Sequence, residues 1–479
     1  MKILLINPVI KDKIWAGIPQ NCSKDIFLFP PLGLMYIEAC LDKFSHHETK
    51  IIDALADNLS YDDLKIRIEE FRPDIVGITV LTHNLKSVAK TINAVKSAKH
   101  NFHLSIGGPH VTAYPNESIM LENVDSALSG YCEKSFMDLA NAIEQHKNLK
   151  DIDGIILKNG NEIYLNKTKH NISLDLLPFP DRIKNNFKKY FTPATQTDKV
   201  TTLISGRGCP QRCTFCNTYQ KYESRSVINI VDEIQYCYEI GVEEIYFIDD
   251  TFNVTLDRVV SIANEILKRN LKIKWGFKAR CDNITDEMLK IIKKAGCVKI
   301  HYGVETGSDY GLKQLNKKIT LEQIEQTFKL TKKYGIRTIA FFMLGCPHDK
   351  IKTDILNTIK FALRIKADYA VFAIFSPYPD TISYKNAIEK GIIKEDLWMD
   401  FILNPNTNVL PDTCWEEFFT KDELFKLLKL AHKKFYFRPF YILKTLLNAH
   451  SLFEFKKIFI GGISLLKIEF LNKKKKNIL

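Results

Sequence analysis

Two apolar rhythms alternate along this chain. Short runs such as Lys2–Asn7, Thr49–Asp53, Ile75–Thr79, His103–Gly107 and Ser126–Ser129 are dense in Ile, Val and Leu and suit strands buried on both faces. Between them, at Pro31–Lys43, Tyr61–Phe71, Leu85–Ala98 and after Tyr114, apolar residues recur every three or four positions, as in amphipathic helices. Strand, helix, strand at this spacing predicts an α/β, doubly wound parallel sheet over residues 1–145. Ligands of such sheets bind at the carboxyl ends of the strands. Asn7-Pro8, Asp53, Thr79 to Asn84, Gly107-Gly108-Pro109-His110 and Gly130 fall at those ends.

The rhythm lapses over residues 146–195, which read as a polar linker. Inside it Asn159-Gly160-Asn161 predicts a hairpin turn between Gly154–Leu157 and Glu162–Leu165. Residues 196–400 resume the alternation, with strands ending at Ser205, Asp249, Lys278, Gly303, Leu344 and Ile374. Six parallel strand–helix units suit a partial (β/α)6 barrel, which presents its chemistry at the carboxyl ends of its strands. Residues 401–479 predict a basic helical C-terminal domain.

Composition narrows the class. A chain of 479 residues predicts roughly two to four domains. Its 11 cysteines are odd in number and form no dense framework, so a reduced, cytoplasmic setting is expected rather than a disulfide scaffold. The first apolar run is too short for a signal peptide, and no apolar run is long enough to span a bilayer. The charge of +12 is concentrated: from Lys421 onward 14 Lys and Arg face 4 Asp and Glu, a net +10 in the tail. With Phe435, Tyr436, Phe437 and the run Ile458–Leu466, this tail either lies on the anionic inner face of a membrane or packs on the barrel with a solvated basic face. Nucleic acid is not expected as a partner.

The chemistry centres on Gly206-Arg-Gly-Cys209-Pro-Gln-Arg-Cys213-Thr-Phe-Cys216, a C-x3-C-x2-C spacing. Three thiolates can hold three irons of a [4Fe–4S] cluster and leave the fourth iron open. The rival readings are a zinc knuckle or three buried thiols. A structural zinc site takes four ligands, and the next cysteine is Cys237. With the strand-like Val200–Ser205 ahead of it and Phe215 beside the last thiol, the segment resembles the signature of the radical S-adenosylmethionine (SAM) enzymes. The resemblance implies that Cys209, Cys213 and Cys216 ligate the cluster. The open iron would bind SAM, and one electron, from an external flavodoxin- or ferredoxin-like donor, would cleave it to a 5′-deoxyadenosyl radical. It implies further roles around SAM: the Phe215 backbone and Gly345 at the adenine, Asp249 at the amine, Arg280 at the carboxylate, and Glu305 in Gly303-Val-Glu-Thr-Gly307 at the ribose or sulfonium. Asp249 also reads as a helix cap, and Arg280 as a member of a salt bridge. The turn after Leu344 departs from the family's Gly-Leu-Pro-Gly-Glu-Thr.

The first domain resembles the cobalamin-binding domain fused upstream of many radical SAM proteins, through Pro30-Pro-Leu-Gly-Leu34, Asp53 and Ile106-Gly-Gly-Pro-His-Val-Thr112. The resemblance implies that Asp53, Thr79, Gly107, Gly108, His110 and Gly130 line the cobalamin. An Asp-x-His-x-x-Gly motif is absent, which implies cobalt bound without histidine. A Gly-Glu-Gly-Glu turn is replaced by Gly130-Tyr-Cys-Glu133. Together the two resemblances imply a cobalamin-dependent radical SAM enzyme that methylates an unactivated carbon or phosphorus of a small or lipid-like molecule. Cyclisation or rearrangement is the alternative on the same architecture. An RNA methylthiotransferase would carry three clustered N-terminal cysteines, where this chain has the scattered Cys22, Cys40 and Cys132. A non-enzymatic cobalamin or redox sensor would not need the acidic strand ends.

Overall fold

In the computed structural model, residues 1–10, 28–160, 162–168, 172–191, 194–219, 221–404, 414–447, 453–456 and 462 are described. The chain divides into two compact units. The first comprises residues 1–14, 31–186 and 394–412; the second comprises 15–30, 187–393 and 413–479.

The first unit is built on a sheet of seven strands among the described residues: β1 (Lys2–Asn7), β2 (Glu48–Asp53), β3 (Ile75–Thr79), β4 (His103–Gly107), β5 (Ser126–Leu128), β6 (Ile155–Asn159) and β7 (Glu162–Leu165), in the order β2-β1-β3-β4-β5-β6-β7. Pairing from β2 to β5 is parallel, as the alternating pattern predicts. Helices such as Leu32–Phe44, Leu85–Lys96 and Glu133–Glu144 connect these strands and supply apolar faces to the core. The order reverses between β1 and β3, and the crevice beyond the carboxyl ends there is the usual ligand position of such a sheet.

The linker assignment is corrected. β6 pairs antiparallel with β5, and β7 with β6, so these two strands extend the first sheet. Ile155 and Ile156 are fully buried, which an exposed linker would not allow. Farther on, Lys184 reaches Asp42 at 2.7 Å and Glu38 at 3.1 Å, and Asn185 donates to Glu38 at 2.6 Å. This segment is therefore fastened to helix Leu32–Phe44.

The second unit has a six-stranded, wholly parallel sheet: β8 (Val200–Leu203), β11 (Glu244–Phe247), β12 (Lys274–Ala279), β13 (Cys297–Glu305), β14 (Arg337–Leu344) and β15 (Tyr369–Ile374), adjacent in sequence order. A separate antiparallel pair, β9 (Gly206–Arg207) and β10 (Glu223–Ser224), frames the cysteine loop. The outward faces are packed by helices. Trp275 and Phe277 lie among Phe247 and Phe252, and the Trp275 indole donates to the Ala295 carbonyl at 2.8 Å. Helix Asp286–Lys294 starts where Thr285 accepts the Met288 N–H, and it buries Met288, Leu289 and Ile292.

Helix Lys421–Tyr436 buries Leu424, Leu427, Leu428, Ala431 and Phe435 in the core of this unit. The Tyr436 hydroxyl donates to the Ala370 carbonyl of β15 at 2.6 Å. Two of the aromatic residues considered as membrane anchors thus pack inward. Ile458–Leu466 and the Lys473–Lys476 run lie outside the described residues. Among the described residues no helix is long and apolar enough to cross a membrane.

Candidate active site

β8 ends at Leu203, and the chain turns through β9 into the cysteine loop. The loop is held at many points. Cys209 N–H donates to the Tyr219 carbonyl at 2.8 Å and Thr214 N–H to the Leu315 carbonyl at 3.1 Å. The Thr214 carbonyl accepts from Ser383 N–H at 2.9 Å, and the Arg212 carbonyl accepts from the Asn316 side chain at 2.6 Å. Gly208, at φ +76°, has no room for a side chain: a Cβ would stand 2.7 Å from the Tyr219 carbonyl oxygen and closer still to that of Lys221. Cys209 is buried, Cys213 partly buried and Cys216 exposed.

Among the described residues, the three sulfurs are not gathered within 4.8 Å of one another, as ligands of a single ion would be. Burial pushes the Cys213 thiol above its ordinary range, and the nearby Lys317 and Arg280 charges oppose that shift.

The residues expected around SAM are brought to the carboxyl rim of the same sheet, but several are already engaged. Asp249 is 2% exposed, and both its oxygens take Ser205: one the N–H at 2.8 Å, the other the hydroxyl. Arg258 clamps the same serine, donating to its carbonyl at 2.7 Å and to its hydroxyl oxygen at 2.6 Å. Burial raises the Asp249 carboxyl above its usual range, with Arg258 and Ser205 pulling the other way. Asp249 therefore braces the end of β8 through Ser205. Its neighbour Asp250 accepts the Gly208 N–H at the entry to the cysteine loop.

Arg280 stands in the salt bridge that was its second reading. Its fork lies on Asp282, at 3.0 and 2.7 Å, and on the Lys317 carbonyl at 2.6 Å. It still lines a cavity of about 300 Å³ that Gln211, Thr251, Asn253, Asp282 and Asn283 share with it, beside the cysteine loop. A guanidinium and a carboxylate facing one cavity complement the amine and carboxylate of an amino acid, so the donor set fits SAM. Gly345 lies just past the end of β14. Its N–H is spent on Asp349 at 2.9 Å, and a Cβ there would meet the Leu424 side chain.

Glu305, at the end of β13, sits at φ +71°, where the pairing with β14 shifts register. It is 7% exposed and faces Lys317 at 2.7 Å. Gly303 makes the space: a Cβ there would stand 2.8 Å from the Lys317 ammonium and closer to Glu305. The ammonium also lies 6.0 Å over the Phe215 ring. Lys317 is the functional candidate the sequence does not announce. It is one of two consecutive lysines in a polar turn, flanked by left-handed Asn316 and Lys318.

In the first unit, strand register gathers the expected rim. Asn7 pairs with Asp53, Thr79 with Gly107 and Gly107 with Leu128. Asp53 accepts from the Asn7 amide at 2.8 Å and from Ala56 N–H at 3.0 Å. Gly108, at φ +115°, lies against the Val80 carbonyl, where a Cβ would stand 2.8 Å away. Gly130, at φ +82°, donates its N–H to Thr112 at 2.9 Å. Main chain bare of side chains at Gly107, Gly108 and Gly130 suits the many amide groups of a corrin. His110, also expected at this rim, is wholly buried. Its Nδ1 meets the Thr82 hydroxyl at 3.1 Å and its ring lies 5.3 Å from Tyr114. Burial pushes its pKa down to about 4, with Asp396 opposing.

A parallel barrel with a three-thiol loop at its carboxyl rim defines a radical SAM core, and the comparisons agree. Residues 203–362 match the radical SAM superfamily, and residues 26–140 match the B12 binding domain. The uncharacterized methyltransferase PH0819 of Pyrococcus horikoshii is 31% identical over 459 residues, spanning 94% of this chain and 96% of the relative. The anaerobic magnesium-protoporphyrin IX monomethyl ester cyclase of Rubrivivax gelatinosus is 26% identical, over 79% of this chain and 68% of its own. Among solved structures, the cobalamin-dependent SAM radical enzyme OxsB, with aqua-cobalamin and SAM bound, superposes with a TM-score of 0.69 at 18% identity. That match covers 98% of this chain and 72% of OxsB. The chain belongs to the cobalamin-dependent radical SAM methyltransferase family. It is a radical SAM enzyme whose cofactors are a [4Fe–4S] cluster, SAM and cobalamin.

Proposed function

We propose that this enzyme methylates an unactivated carbon or phosphorus centre of a small or lipid-like molecule. The observation that carries the reading is the presence, in one chain, of a loop with only three thiols and a cobalamin-binding sheet. When bound, the cofactors supply radical generation and a methyl carrier, chemistry that side chains lack. The chain's own residues position and shield. Cys209, Cys213 and Cys216 hold the cluster at the barrel rim. Asp250 ties Gly208 in place, and the Glu305–Lys317 pair puts matched charge beside Phe215.

The test is turnover of anaerobically reconstituted protein with SAM carrying a deuterated methyl group and candidate metabolites. Methyl transfer leaves S-adenosylhomocysteine and a labelled product beside 5′-deoxyadenosine. The triple variant with Cys209, Cys213 and Cys216 changed to Ala should lose both the cluster and SAM cleavage, and a normal cluster in that variant would remove the reading. The likeness to the magnesium-protoporphyrin cyclase favours ring formation as the second reading. It is chosen if 5′-deoxyadenosine forms and no label leaves SAM. The source of electrons is proposed to be an external flavodoxin- or ferredoxin-like protein.

A further inference from the structure

The inward faces of the barrel strands change character from layer to layer. Deepest, Lys299 of β13 pairs with Glu244 of β11; both are fully buried, and each charge is matched. Gly276 of β12 leaves room for this lysine, since a Cβ there would stand 2.8 Å from its carbonyl oxygen and closer still to its side chain.

One layer toward the rim the matching stops. Lys278 of β12 stands directly opposite His301 of β13 in the parallel ladder, and strand alternation points both inward, like Gly276 and Lys299. Lys278 is half-buried. Asp249 and Asp250 feel its charge, yet among the described residues no carboxylate lies within 4.0 Å of its ammonium. His301 is 1% exposed, and neither ring nitrogen has a hydrogen-bond partner. Its ring sits 4.7 Å from Tyr246, which is itself buried beneath Phe29 and the Lys299 ammonium, and 5.9 Å from the partly exposed Phe341. A buried polar group without a partner is costly and calls for an unseen one.

We propose that Lys278 and His301 form the anion-binding end of the substrate site, receiving a carboxylate or phosphoryl group of a molecule whose apolar body lies against Phe341. The ammonium supplies the counter-charge. The neutral imidazole gives one N–H to the oxyanion and offers its other nitrogen to a hydroxyl donor. Substrate class is thereby narrowed to amphipathic anions, and sugars or hydrocarbons without a charge are disfavoured.

This inference rests on the barrel being the catalytic site, and the two ideas fail separately. Anaerobically reconstituted full-length protein, with SAM present, is titrated calorimetrically with phenyl phosphate, benzoate and benzyl alcohol, and SAM cleavage by the wild type is measured in the same preparation. Both anions should bind about tenfold or more tightly than the alcohol. Lys278→Met should erase that preference while the alcohol's affinity holds, Lys278→Arg should keep it, and His301→Phe should weaken the anions several-fold. A merely structural lysine would lower anion and alcohol together. That outcome, or a wild type that does not prefer anions, overturns the proposal. Should Lys278→Met not fold, the wild-type preference and the Lys278→Arg and His301→Phe titrations still decide. Anion preference without any SAM cleavage would instead overturn the catalytic reading.

Discussion

Lys317 holds a positive charge in surroundings that leave it 6% exposed, and it does so because Glu305 stands 2.7 Å away. Burial lowers its pKa, but Glu305 and the neighbouring Cys213 more than restore it. Removing one partner of a buried pair costs about 3–5 kcal/mol, because the other charge stays buried and unmatched. Lys317→Met should therefore cost about 3 kcal/mol in denaturant unfolding followed by circular dichroism, and Glu305→Gln a similar amount. The double variant should recover much of the loss; simple addition of the two losses would refute the coupling. The cysteines were legible from sequence because their chemistry is local, confined to the eight residues from Cys209 to Cys216. Lys317 was not, because its role depends on a left-handed turn and on a glycine from another strand. Asp249 and Asp250 were indistinguishable as a dipeptide: only the fold shows that one braces Ser205 and the other the Gly208 N–H.

At the scale of elements, the cysteine loop depends on backbone shape as much as on thiols. Gly208 combines φ +76° with carbonyl oxygens where a Cβ would sit. Gly208→Ala should keep the helical signal of the chain but sharply lower the iron and sulfide retained after anaerobic reconstitution. Gly391→Ala is the control: it also has positive φ, +67°, but nothing lies within 4 Å of its Cβ. Equal iron content in the two variants would count against the loop argument. The strands of the parallel sheets were readable, and their ends fall within two residues of the expected places because buried Ile, Val and Phe runs stop where the rim begins; the short β9–β10 pair was not. The β6–β7 hairpin was visible as a turn. Its membership in the first sheet was not, since an antiparallel edge depends on pairing with β5 rather than on its own polar pattern.

The whole molecule sets two cofactor chemistries on two units, and each unit can be tested within the full chain. Cobalamin bound to the reconstituted protein should show, in the paramagnetic cob(II) state, no nitrogen splitting from an imidazole. The basis is the missing Asp-x-His-x-x-Gly motif and a wholly buried His110 whose Nδ1 is engaged by Thr82. His83→Ala and His110→Ala should leave that spectrum without imidazole features, and an imidazole signal lost in either variant would overturn the ligation claim. The division of the chain has a temporal side. Residues 394–412 complete the first unit, where the Asp396 carboxylate receives the Tyr114 hydroxyl at 2.8 Å and helix Leu397–Leu403 buries Trp398, Phe401 and Ile402. A ribosome must therefore make nearly the entire barrel before the amino-terminal half has all its parts. The half that emerges first is finished late, and a gene fragment ending near residue 186 encodes an incomplete version of it.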